Sequence, residues 1–165
     1  MAIWKAQRTL LIVGEGYDEE AFLNHVKQLY APRGCGLIVT IKNARGKGAQ
    51  HVIDWTRRQT ANIDYDAVAA LLDTDTDWTP VVAKLAKTKK IQVLKSEPCF
   101  ESLMLRLLGE NPIGDAKALK TQFSPFVNHD ATQRHHYATH FGSERLQAGR
   151  VHEPTIDTLL KLLGA

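Results

Sequence analysis

Apolar and polar positions alternate along this chain between two regimes. Short apolar runs occur at 8–14 (RTLLIVG), 36–42 (GLIVTIK), within 66–75 (DAVAALLDTD) and at 91–96 (IQVLKS). Runs this short and rich in β-branched residues predict strands buried on both faces. Between them the spacing changes to a helical one. DEEAFLNHVKQLY repeats apolar residues at Phe22, Val26 and Leu29, QHVIDWTRRQT does so through Val52 and Trp55, and TPVVAKLAKTKK starts with Thr79 as a cap and Pro80 in its first turn. Strands alternating with helices predict an α/β fold: a parallel β-sheet flanked by helices and joined by right-handed crossovers. PCFESLMLRLLGE at 98–110 reads as a further helix, and 111–165 holds helical stretches such as DAKALKTQF and PTIDTLLKLL without a convincing strand. We read one domain over 1–165, with a core at 8–108 and a helical C-terminal extension at 109–165, because fewer than about 60 residues would form only a marginal core of their own.

A content of 44% hydrophobic and 24% charged residues in 165 positions is ordinary globular material. Two cysteines, Cys35 and Cys99, with no CxxC pair, suit a reducing cytoplasm better than a disulfide framework or a zinc site. The amino end has neither the apolar core of a signal peptide nor the length of a membrane span, so a soluble, cytoplasmic protein without membrane contact is expected. The net charge of +3 is small, but its distribution is uneven. Lys42, Arg45, Lys47, Arg57 and Arg58 form one basic block opposed only by Asp54, and Lys84, Lys87, Lys89, Lys90 and Lys95 form a second. Asp64, Asp66, Asp73, Asp75 and Asp77 lie between them. Basic flanks around an acidic centre suit a metal site that meets phosphates, while a solvated helix face accounts equally for the second block.

The acids carry most of the chemistry. Glu15, Asp18, Glu19 and Glu20 crowd into six positions where the first strand gives way to a helix. The positive end of the helix dipole accounts for Asp18, Glu19 and Glu20. Glu15, between Gly14 and Gly16 at the strand end, needs another reason. In an open parallel sheet ligands collect beyond the carboxyl ends of the strands. Glu15 follows the first strand, the GKG turn at 46–48 the second, Asp73, Asp75 and Asp77 the third, and Lys95 with Glu97 the fourth. If the chain stays extended through 73–75, Asp73 and Asp75 point to one side and share a hard cation such as magnesium.

LLIVGEGYDEEAFL followed by VAALLDTDTDW resembles the Toprim domain of topoisomerases, bacterial primases, ribosomal RNA maturases, recombination mediators and OLD-type nucleases, over roughly residues 8–108. SEPCFESLMLRLL at 96–108 resembles the helix start of RloB-like Toprim proteins of restriction and defence loci. The resemblance implies a Toprim-like parallel sheet, Glu15 as general base or acid in phosphodiester chemistry, and Asp73 and Asp75 as ligands of Mg2+ (or Mn2+). OLD-type relatives add acids for a second metal. Glu19 is the first local counterpart here, equally a plain helix-start acid, and Glu101 is another; Asp77 is a further metal candidate that could equally cap the next helix. Lys95 would stabilise charge on the phosphate. DNA or RNA is the implied partner, together with a protein encoded nearby.

His129, His135, His136 and His140 form a local group, and His136 with His140 has the spacing of a helical metal pair, yet no HExxH or cysteine accompanies it. RGKG lacks the rest of a phosphate loop, which removes an NTPase reading. Arg45 and Lys47 are better placed to meet nucleic-acid phosphates, with Arg57 and Arg58 behind them. Three functions follow in order: a metal-dependent nuclease in a defence or mobile-element system, a non-catalytic Toprim module binding nucleic acid or protein, and a nucleotidyl transferase.

Overall fold

The computed structural model describes residues 7–165, so the expectation about the amino end falls partly outside the described residues. Four strands, β1 (Arg8–Gly14), β2 (Leu37–Asn43), β3 (Ala67–Asp73) and β4 (Gln92–Ser96), form one sheet in the order β2-β1-β3-β4. All three pairings are parallel. The connections are α1 (Tyr17–Tyr30), α2 (Gly48–Gln59) and α3 (Pro80–Thr88), and α4 (Phe100–Leu107) follows β4. Thr79 caps α3 as expected, its hydroxyl accepting the Val82 N–H at 3.2 Å.

The unbroken apolar runs are explained by burial on both sides. Leu10 and Ile12 of β1 and Ala69 and Leu71 of β3 face one core, with Phe22, Val26, Phe100 and Leu103. Their neighbours Leu11, Val13, Ala70 and Leu72 face a second core, with Val52, Ile53, Val82 and Ala86. Helix α1 therefore covers one face and α2 with α3 the other, as crossovers of one hand require when the strand order reverses. The reversal falls between β1 and β3, the switch point at which open α/β sheets bind ligands.

The C-terminal part is helical: α5 (Ala116–Phe123), α6 (Ser143–Gly149) and α7 (Pro154–Leu162), with 3-10 turns at Ser124–Val127 and Arg134–Tyr137. Phe123, Tyr137, Phe141, Leu146, Ile156 and Leu160 join the α1-side core. Phe22 sits among the rings of Phe100, Tyr137 and Phe141 at centroid distances of 5.7, 5.7 and 6.1 Å. The extension thus roofs the face that carries α1 and α4. At the sheet edge the Thr155 hydroxyl donates to the Lys95 carbonyl at 2.6 Å, which ties α7 to β4. Among the described residues no helix is long and apolar enough to cross a membrane.

Candidate metal centre

Three carboxylates meet at the switch point. Glu15 follows β1, Glu19 lies in the first turn of α1, Asp73 ends β3, and each offers an oxygen within 4.8 Å of the others. Glu15 and Glu19 are buried and Asp73 is half-buried. Backbone donors orient all three. The Asp73 N–H donates to Glu15 Oε2 at 3.0 Å, the Gly16 N–H to Glu19 Oε2 at 3.0 Å, and the Phe100 N–H, at the start of α4, to Asp73 Oδ1 at 2.9 Å. One oxygen of each carboxylate is thereby held in place. The amino ends of α1 and α4 both point here, and their partial positive charge offsets some of the repulsion.

Gly14 makes this approach possible. A Cβ at Gly14 would lie 3.0 Å from both the Glu19 Cβ and the Glu20 nitrogen. A glycine lets the first turn of α1 rest closely on the end of β1, where a side chain would push the helix outward, and that contact carries Glu19 toward Glu15 and Asp73.

The electrostatics follow from crowding without a cation. Burial, then the charges of Glu19, Glu15, Glu101 and Asp75, push the Asp73 carboxyl up to about 9. Burial is also the main cause at Glu19, pushed up to about 8, with Glu15, Asp18 and Glu101 adding to it. Glu15 is raised as well, mainly by burial, although the Asp73 N–H acts in the opposite direction. Asp18 is raised by burial and by Glu101, partly offset by Lys120. A group of hard oxygen donors that retains protons near neutrality could hold a divalent cation in their place.

The remaining expected residues fall in several places. Glu101, buried in the first turn of α4, adds its charge to the cluster without joining the close group. Asp75 is exposed, because β3 ends at Asp73 and the chain bends over 74–77. The extended-chain basis for pairing Asp73 with Asp75 therefore does not hold, and Glu19 stands in the close group instead. Asp75 still raises the proton affinity of Glu15 and Asp73. Asp77, at φ 59°, lays its carboxylate against Gly48 at the start of α2 rather than in the close group.

Lys95 pairs in register with Leu72, while Asp73 pairs with Ser96. Alternation along the strands puts Lys95 on the opposite sheet face from Asp73. Its ammonium meets Glu97 at 3.5 Å near the surface, so a role at the reacting phosphate has no geometric basis here. Lys84, Lys87, Lys89 and Lys90 are exposed, as a solvated face requires. Arg45 and Lys47 lie in the turn beyond β2, tied to the site by the Gly46 N–H donating to the Glu15 carbonyl at 2.6 Å. Arg57 and Arg58 are exposed in the last turn of α2. A rise of ~1.5 Å per residue sets Arg57 about 15 Å along that helix from Lys47, so the basic block is divided.

The histidine group is not a continuous helix. Residues 134–137 form a 3-10 turn, His136 Nδ1 bonds the Asp130 carbonyl at 2.8 Å, and His129 Nδ1 bonds the Ser124 hydroxyl at 3.0 Å. None of these histidines belongs to a metal-competent group among the described residues. Glu19 was a candidate from sequence as an added ligand, whereas the Phe100 N–H and the packing of α1 on Gly14 were not foreseen. A glycine directly before the strand-end glutamate was the one available sign of a close helix approach.

Fold and site together define an open parallel α/β protein with a buried carboxylate group at its switch point. Comparison with protein-family models, curated proteins and solved structures finds no match to the chain.

Proposed function

We propose that the protein is a Toprim-type phosphodiesterase that uses Mg2+ or Mn2+ to cut DNA or RNA. The observation that carries this reading is the convergence of Glu15, Glu19 and Asp73 within 4.8 Å at the ends of β1 and β3. Three carboxylate donors fit a small hard cation better than a soft one. Glu19 and Asp73 would hold the ion, each carboxylate oriented by a backbone N–H. The ion, when bound, supplies Lewis acidity to a phosphate oxygen. Glu15 moves the proton of the attacking water or of the leaving oxygen. In the metal-free protein burial raises its proton affinity, and a bound cation would favour the ionised form that a general base needs. Asp75 and Glu101 deepen the negative potential that draws the cation. Arg45 and Lys47 meet the phosphates on either side of the scissile bond. The defence setting, a partner protein encoded nearby and a cytoplasmic location belong to the same proposal.

The test is incubation of the purified protein with labelled single- and double-stranded DNA and RNA, in magnesium, manganese or chelator. Metal-dependent product is expected for at least one polymer. Glu15→Gln is expected to abolish cleavage and to leave folding and nucleic-acid affinity nearly unchanged. Binding without cleavage in any metal would identify a non-catalytic module, and extension of an oligonucleotide by added nucleotides would identify a transferase.

A further inference from the structure

Beside the carboxylate group, a groove of about 560 Å³ opens between the start of α1, the end of β2 and α2. Its walls include Tyr17, Lys42, Asn43, Arg45, Trp55 and Gln59. We infer that this groove binds one nucleotide of a single-stranded nucleic acid, with the base against Trp55 and the phosphate toward Lys42 and Arg45, and so leads the strand to the carboxylates.

The aromatic walls are the first reason. Trp55 is half-buried, packed on one side against the α2–α3 core and bordering the groove on the other. Tyr17, also lining the groove, leaves 57% of its surface exposed. An aromatic side chain held firmly on one side and open on the other is a stacking platform, and every base offers it a face. The volume is in the range of small-ligand sites and suits one nucleotide. A base in a duplex is already stacked and paired, so this groove selects an unpaired strand.

The polar walls are the second. Lys42 Nζ donates to Gln59 Oε1 at 3.0 Å, which fixes its charge among the groove-lining residues. Asn43 Oδ1 accepts the Arg45 N–H at 2.7 Å, but the Asn43 Nδ2 is buried with no acceptor. A buried donor left unmade is unfavourable, and a small shift of the Asn43 side chain toward an occupant's oxygen would complete it. Arg45, Gly46, Lys47 and Gly48 all take positive φ, at 62°, 81°, 72° and 86°. Left-handed backbone at Arg45 and Lys47 is strained, and such strain gathers at ligand-holding turns. The same turn reaches the Glu15 carbonyl through Gly46, so groove and carboxylates share one piece of backbone. Glu20, the acid on the groove wall, directly follows Glu19 of the metal centre.

What becomes of the bound strand rests on the phosphodiester reading, whereas the binding itself does not, so it is measured on the full chain in chelator. The probes are a fluorescein-labelled oligothymidylate and a duplex of equal length. The single strand is expected to bind at least tenfold more tightly than the duplex. Trp55→Leu, which keeps apolar bulk but removes the aromatic face, is expected to weaken single-strand binding roughly tenfold or more. Trp55→Phe is expected to retain most of the affinity while losing the tryptophan quenching that the oligonucleotide causes in the wild type. Asn43→Ala is expected to weaken binding less than Trp55→Leu does. Circular dichroism establishes that each variant is folded, and if Trp55→Leu does not fold, the quenching lost in Trp55→Phe decides. Equal affinity for duplex and single strand, no binding of either, unchanged affinity in folded Trp55→Leu, or unchanged quenching in Trp55→Phe would each overturn the inference. Magnesium added to the same mixtures tests cleavage separately, and its failure leaves the chelator results standing.

Discussion

Replacing Glu19 by Gln removes one charge from the carboxylate group at almost constant shape. In the metal-free protein the Glu19 carboxyl is pushed from 4.5 to about 8, chiefly by burial. At 1.36 kcal/mol per pH unit this bounds the cost of its charge at about 5 kcal/mol. Glu15, Asp18 and Glu101 share that repulsion and relax with it, so removing Glu19 alone is expected to return on the order of 1–3 kcal/mol. The folded form binds this proton more tightly than the unfolded chain. Its contribution is therefore intact below about pH 4.5 and is lost as the pH rises through about 8. In chelator, Glu19→Gln should melt close to the wild type near pH 5 and several degrees above it at pH 8.5, since 1 kcal/mol moves a chain of this size by about 2–4 °C. Magnesium should narrow or reverse the difference. At a free concentration about 100 times its dissociation constant it adds roughly 2.7 kcal/mol to the wild type, and the variant should gain much less. Thermal melts of both proteins at the two pH values, with chelator or magnesium, provide the measurement. Equal melting at pH 8.5 in chelator would remove the crowding argument, and equal magnesium shifts would remove Glu19 from the ion.

Asp75→Asn should change stability in chelator by no more than about 0.5 kcal/mol, as befits an exposed residue, whereas Asp73→Asn should stabilise the metal-free fold at pH 8.5 and lose the magnesium response; similar melts for the two would contradict the exclusion of Asp75 from the close group. Gly14→Ala places a Cβ 3.0 Å from the Glu19 Cβ and the Glu20 nitrogen, and the displacement of α1 should cost about 1–3 kcal/mol and weaken magnesium stabilisation, both read from the same melts. Arg45→Asn with Lys47→Asn, chosen because asparagine tolerates positive φ, should lower the salt dependence of nucleic-acid binding by about one to two counterions. Arg57→Ala with Arg58→Ala, at the far end of α2, should change it less, and the reverse order would place the strand along α2.

The order of elements was written in the chain, because a strand buried on both faces must be apolar at every position and its connecting helix on one side only. Leu10 to Val13 and Ala69 to Leu72, short apolar runs alternating with helical segments, pointed to central parallel strands, and Thr79 with Pro80 marked the start of α3 through purely local chemistry. Glu15 was legible for a related reason: an acid between two glycines has no local partner, so its place at a strand end implied a role. Tertiary structure decided which acids stand beside it. Glu19 and Asp75 are equally acidic in sequence, and the difference between them is that α1 rests on Gly14 while the chain turns away after Asp73. The register of β3 against β4 sent Lys95 to the far face and left Ser96 beside Asp73. The groove of Tyr17, Asn43 and Trp55 joins three segments with no common periodicity, and no reading of one segment reveals another. Local pattern sets each element because hydrogen bonding and burial act within it, whereas the site depends on angles and registers between elements, which are set by packing across the whole sheet.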